Sequence, residues 1–279
     1  MNRLLFLFLI ISLPAEAQTY QDKVLNRNVF WSEVNLVYKL SGRWSLQLDH
    51  QYRRQADDNS RDLNAFRHPL LQVFRPWISY QLSEPVRLSL SPIGLWWNWG
   101  RVSEYQPTTF FQELRVIPQV QLTKPLGDGE FIQRFRSELR WASLTDTLAN
   151  AYVFLSDGES QQVLADRFNV RFRAMARWIN PVFKRNQDDD RWYSHLSIEP
   201  MVVLSASGAR FDQNRTYVAL GRKIQKHVRI ELGYLNQFTV QRTESDQVRL
   251  FRFNHALHLY VYLENGRNSK ARPDSGPED

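Results

Sequence analysis

Polar and apolar residues alternate along most of this chain with a period of two. Trp44, Leu46, Leu48, His50 and Tyr52 interleave with Arg43, Ser45, Gln47, Asp49 and Gln51. Val228, Ile230, Leu232 and Tyr234 interleave in the same way with Arg229, Glu231, Gly233 and Leu235. Successive side chains of a β-strand point to opposite faces, so such runs make one apolar face and one polar face. Eleven segments read as strands: about Asn28–Leu40, Arg43–Arg54, His68–Leu82, Val86–Gly100, Phe110–Lys124, Phe131–Trp141, Ala165–Ile179, Trp192–Ala206, Asn214–Ile224, Val228–Gln241 and Val248–Leu263.

The connections alternate short and long through most of the chain. Ser41-Gly42, Ser83-Glu84-Pro85 and Gly127-Asp128-Gly129 are tight turns, whereas 55–66, 101–109 and 142–164 are long. The last of these has room for a short element around Tyr152–Leu155. Membrane β-barrels have short turns at one end, longer loops at the other and, in bacterial single chains, an even strand count. Eleven strands break that parity, and a further strand over Gln18–Arg27 would restore it. The expectation is an all-β, antiparallel, transmembrane outer-membrane barrel of about twelve strands, with ten as the alternative. A soluble sandwich fits less well, because its strands run to about 5–6 residues. Of nine Trp, Trp31, Trp44, Trp141, Trp178 and Trp192 fall near strand ends, and Trp96, Trp97 and Trp99 cluster late in the fourth strand. Interfacial aromatic girdles sit at such positions.

Residues 1–17 read as a cleaved export signal. Arg3 supplies the positive charge, Leu4–Leu13 the apolar run, and Ala15-Glu16-Ala17 the small-residue cleavage site. The apolar run is too short to cross about 30 Å of hydrocarbon as a helix, and no later stretch reaches 18 apolar residues. The domain organisation expected is therefore a signal over 1–17, a single barrel over 18–265 and a disordered polar tail over 266–279.

Composition narrows the chemistry. The mean hydropathy of −0.48 would suggest a soluble protein, but only alternate residues of a barrel face lipid. There is no Cys, which excludes thiol chemistry, Cys-bound metal and a lipoprotein anchor. The net charge of +7 is spread through the strands rather than gathered in a patch, which argues against nucleic acid as partner. It favours outer-membrane lipid headgroups and small anionic solutes.

The chain resembles an uncharacterised family of outer-membrane barrels found mainly in Bacteroidetes, a domain of unknown function. Phe30-Trp31, Arg53-Arg54 and Arg171-Phe172-Arg173 carry the likeness, and Phe211-Asp212-Gln213-Asn214-Arg215 followed by Glu231-Leu232-Gly233-Tyr234-Leu235 carries most of it. It covers nearly the whole mature chain. The resemblance implies a barrel and transfers neither substrate nor catalytic residues.

The polar face is rich in arginine. Arg87, Arg115, Arg134, Arg136, Arg140, Arg167, Arg171, Arg173, Arg177, Arg222, Arg229 and Arg249 are expected in the lumen. Asp49, Glu113, Glu138, Glu199 and Glu231 would face them there. Guanidinium forks pair well with carboxylates and phosphates, so the set reads either as a structural network or as an anion-attracting lining.

His195, Ser197 and Glu199 lie two apart on one strand. A His-x-Ser pair in a barrel wall resembles that of outer-membrane lipid A deacylases, in which histidine activates serine. The phase here turns the pair inward, away from lipid, and the Asn that follows the serine in that family is missing. His255 and His258 should face opposite sides, and Asp188-Asp189-Asp190 lacks the spaced ligands of a calcium loop. No metal or other cofactor is expected.

The expectation for function is a monomeric outer-membrane barrel of a Gram-negative cell, inserted by the barrel assembly machinery. It would act as a small pore or structural barrel with an arginine-rich lumen, not as an enzyme. The alternatives are a lipid-modifying enzyme of the deacylase or phospholipase type, and a docking barrel acting through Ala142–Leu164.

Overall fold

The computed structural model describes residues 21–40, 42–57, 63–100, 109–143, 151–154, 160–163, 168–182, 191–206, 208–225, 227–242 and 248–266. The proposed signal, the polar tail, Arg167 and Asp188-Asp189-Asp190 lie outside them.

Every strand expected from the alternation is present. In chain order they are β1 (Gln21–Lys39), β2 (Trp44–Gln55), β3 (His68–Gln81), β4 (Val86–Gly100), β5 (Thr109–Leu126) and β6 (Gly129–Ser143). They continue as β9 (Phe168–Val182), β10 (Trp192–Ser205), β11 (Gly208–Gln225), β12 (Val228–Arg242) and β13 (Val248–Gly266). Between β6 and β9 a separate hairpin pairs β7 (Ala151–Phe154) with β8 (Ser160–Val163), where the short element was expected. Gly42 takes φ 73° in the β1–β2 turn, a conformation that L side chains adopt rarely.

The eleven long strands form one closed barrel. Ten neighbouring pairs are antiparallel, and β1 closes on β13 in parallel. The count is thus eleven, close to the twelve expected, and the described residues 21–27 form no separate strand. Residues 21–27 instead extend β1, pairing from Gln21↔Val248 to Lys39↔Gly266. The parity problem disappears for a topological reason. In an up-and-down barrel with an odd number of strands, the first and last run the same way, so their seam is parallel. The segment read as a link over 207–213 is also mostly strand, since β11 begins at Gly208.

The turns after β1, β3, β5 and β11 lie at one end, the turn end. The connections after β2, β4, β6 and β12 lie at the other, the loop end. Outward positions are apolar, among them Leu46, Ile78, Leu90, Phe135, Phe172 and Leu232. Aromatic pairs mark both ends of this outer face: Trp44 with Tyr80 at 4.8 Å near the turns, and Trp141 with Phe168 at 5.2 Å near the loops.

Bulges interrupt the alternation. Ser91 pairs with Ile117 and Gly94 with Arg115, so β4 carries one residue more than β5 between these pairs. The extra residue flips the phase of β4, since one added position exchanges the two faces. Trp96 therefore enters the lumen, where it is 4% exposed. A Cβ on Gly94 would collide with the Trp96 ring, so the glycine makes room for it. Trp31 also points inward, at 3% exposure, from the middle of the lengthened β1. Neither belongs to the outer girdles in which the sequence placed them.

Candidate functional site

The lumen divides into two halves. The loop-end half is lined by fully buried side chains: Val73, Ile117, Met201, Val203 and Leu250 have no exposure at all. A shift of register leaves Leu70 without a partner on β2, beside Leu71↔Arg53 and Pro69↔Arg54. Leu70 packs against two buried clusters at once. One, from β3 to β5, contains Leu71, Val73, Trp77, Trp96 and Ile117. The other, from β1 and β11 to β13, contains Val29, Trp31, Tyr217, Ala219, Leu235 and Ala256. The bulged leucine thereby ties two separate parts of the wall together inside the barrel.

The turn-end half holds a cavity of about 700 Å³. Its walls run from the last turn-end residues, such as Lys39, Glu84 and Glu264, inward to Trp31, Trp96 and Arg115. The cavity is a vestibule facing the turn end, and the packed half forms its floor.

A chain of ion pairs crosses this floor. Glu138, with no exposure, accepts from Arg173 at 2.6 Å and Arg115 at 3.0 Å, and lies 3.5 Å from Arg171. Arg173 reaches across to Glu199, which also accepts from Arg134 at 2.7 Å. Glu113 is held by Arg115 and by Arg140 at 3.1 Å. Asp49 accepts from Arg75 at 2.6 Å and from the Trp77 indole at 2.7 Å. Arg171 also pairs with Asp212 at 2.9 Å, the residue inserted where the β10–β11 register shifts.

Of the expected lumen arginines, Arg87, Arg115, Arg134, Arg136, Arg173 and Arg177 line the vestibule, as does Arg229. Arg140 and Arg171 sit in the ion-pair chain beside it. Arg222 and Arg249 do not face the lumen. Arg222 shares the phase of the outward Val218 and Leu220 and lies over Trp192. Arg249 shares the phase of the outward Leu257 and pairs with Asp22 at 2.9 Å on the exposed surface. Extending the inward phase of each strand from its apolar residues would have caught both. The same signal identifies lumen residues not singled out above, namely Glu33, Arg53 and Arg75. Arg215 belongs with them, since within Asn214–Ile224 it alternates with the outward Val218 and Leu220.

His195, Ser197 and Glu199 all line the vestibule, but they do not form a relay. His195 Nδ1 donates to Glu231 Oε2 at 2.8 Å, on β12 rather than its own strand. Tyr193 also donates to Glu231 at 3.1 Å, and Tyr217 at 3.4 Å. Glu199 is taken up by arginines. His258 lies inside and His255 outside, where its ring approaches Tyr234, as their spacing implied. Among the described residues no group of three or more His, Asp or Glu is arranged to hold a metal ion.

Residues 28–249 match the model of a protein family of unknown function, DUF2490. The chain belongs to this family. No curated protein matches it. The match runs from β1 to the first residues of β13 and stops short of Leu250 and Ala256.

Proposed function

We propose that this family member is an outer-membrane β-barrel whose lumen is an anion-receiving vestibule, open toward the periplasm and closed toward the outside. The observation that carries the reading is the imbalance of charge in a blind cavity. Arg53, Arg136 and Arg177 line it, and none has a carboxylate within ion-pair distance among the described residues. Buried positive charge is costly unless water or anions compensate it, so the vestibule favours anionic solutes.

The membrane location is supported by the apolar outer face, by aromatic pairs at both ends and by the export signal read over 1–17. Strands of 12 to 19 residues exceed the roughly 9–11 needed to cross a bilayer. The short turns after β1, β3, β5 and β11 support a periplasmic position for the vestibule. The barrel acts as a monomer in contact with outer-membrane lipids, inserted by the barrel assembly machinery, and carries no cofactor.

Planar-bilayer recording on folded, heat-modifiable protein tests the reading. The wild-type barrel should show no steady conductance, because the Leu70 layer fills the loop-end half. A constitutively open channel, or one preferring cations, would overturn it.

A further inference from the structure

Three indoles stand around the vestibule, and each has two guanidinium groups against it. Arg53 and Arg215 lie 3.2 and 5.0 Å from the centre of Trp31. Arg75 and Arg136 lie 5.1 and 4.8 Å from that of Trp77. Arg75 and Arg115 lie 5.8 and 3.9 Å from that of Trp96.

Two of these five arginines are neutralised, Arg75 by Asp49 and Arg115 by Glu113 and Glu138. Among the described residues the other three have no carboxylate nearer than 4.0 Å. Arg53 is held by Gln51 at 2.8 Å and Arg136 by Gln119 at 2.6 Å, both neutral amides. Arg215 comes no nearer than 4.0 Å to Glu199, a carboxylate already shared by Arg134 and Arg173. All three are largely buried, and Arg53 and Arg136 are 7% and 6% exposed. Aromatic faces and amides orient a guanidinium without cancelling its charge. Arg53 and Arg215, against one ring, can be no farther apart than the sum of their two distances from it. Both line the same cavity as Arg136.

We infer that Arg53, Arg136 and Arg215 form a binding site for a polyvalent phosphate, a pyrophosphate-type group either free or ending a small organic molecule. Guanidinium forks match phosphate edges in bidentate fashion, and three guanidinium groups with no carboxylate nearer than 4.0 Å call for more than one negative charge in return. The cavity volume lies within the roughly 300–1,000 Å³ of small-molecule sites. Tyr217, Tyr260 and Tyr262 offer an uncharged wall for an organic portion. Arg87 and Arg229 stand nearer the entrance and draw anions in. The inference rests on the vestibule being anion-receiving, as proposed above, and adds the ligand and the residues that hold it.

The test uses the full mature chain, folded in detergent micelles, with inorganic pyrophosphate and a nucleoside diphosphate as probes. Saturable binding of either, with a rise in the unfolding temperature of the wild type, is expected. Stronger binding of the nucleoside diphosphate would identify the organic form, and equal binding the bare oxyanion. R53Q and R136Q should each weaken binding by about tenfold, the loss of one charge-assisted contact. R222Q, on the outer surface, should leave it unchanged. Absence of saturable binding to the wild type at millimolar probe would overturn the site, and so would undiminished binding in folded R53Q and R136Q. Iodide quenching of tryptophan fluorescence separates the two levels. Quenching that R136Q reduces, without phosphate binding, would refute the site and leave the anion-receiving vestibule standing. Without such quenching, both fall.

Discussion

Arg173 joins Glu138 at 2.6 Å from the neighbouring strand, and Glu138 has no contact with solvent. The pair links two halves of the floor, because the same guanidinium also binds Glu199. Glu138 is the carboxylate on which Arg115, Arg171 and Arg173 converge. Replacing it by alanine would leave three buried guanidinium groups repelling one another. Removing one partner of a buried ion pair costs about 3–5 kcal/mol. Glu138→Ala should therefore unfold at markedly lower urea than wild type in micelles, and equal midpoints would show that water screens the floor.

The Leu70 bulge lies against both buried clusters of the lumen. Leu70→Gly removes the side chain that ties the two buried clusters together. The variant should conduct in planar bilayers where wild type does not, with a preference for anions that falls when Arg136→Gln is added. A silent, folded Leu70→Gly barrel would mean that the rest of the layer, including Met201 and Val203, suffices for closure.

The parallel seam is open to a cross-linking test, helped by the absence of native cysteine. Phe30 faces Leu257 and Val34 faces Val261 across it. Double cysteine variants of either pair should form a disulfide under mild oxidant, since cysteine Cα atoms bridge at about 4.4–6.8 Å. The crossed pairs, Phe30→Cys with Val261→Cys and Val34→Cys with Leu257→Cys, lie four residues out of register, about 13 Å along the strand. They should not cross-link. The reverse outcome would require an antiparallel closure and an even count.

The arrangement around His195 predicts silence in a lipase assay. Ser197→Ala should leave fatty-acid release from phospholipid or lipid A vesicles at the wild-type background. His195 is bound to Glu231, and Glu199 to Arg134 and Arg173. Release by wild type that disappears in Ser197→Ala would revive the hydrolase alternative.

Much of the site was legible in the order of residues. Arg134, Arg136 and Glu138 fall on one phase of β6 and Arg171, Arg173 and Arg177 on one phase of β9, and all face inward. The reading failed at an interruption of phase and where charge was set above phase. Trp96 changed face because of the bulge before Gly94. Arg222 and Arg249 were misplaced by setting charge above phase, and polar residues at strand ends face outward without penalty.

The sequence by itself determined the strands, their two faces and the arginine-rich interior, because alternation is a local property of an extended backbone. Only the tertiary structure decided the rest. The odd strand count and parallel seam depend on which strand β1 meets after the chain has gone once around. The partner of each carboxylate depends on register between strands, as when Glu231 rather than Glu199 takes His195. The contact of Leu70 with both buried clusters arises from its missing partner on β2. These are relations between residues distant along the chain, and no pattern of period two contains them.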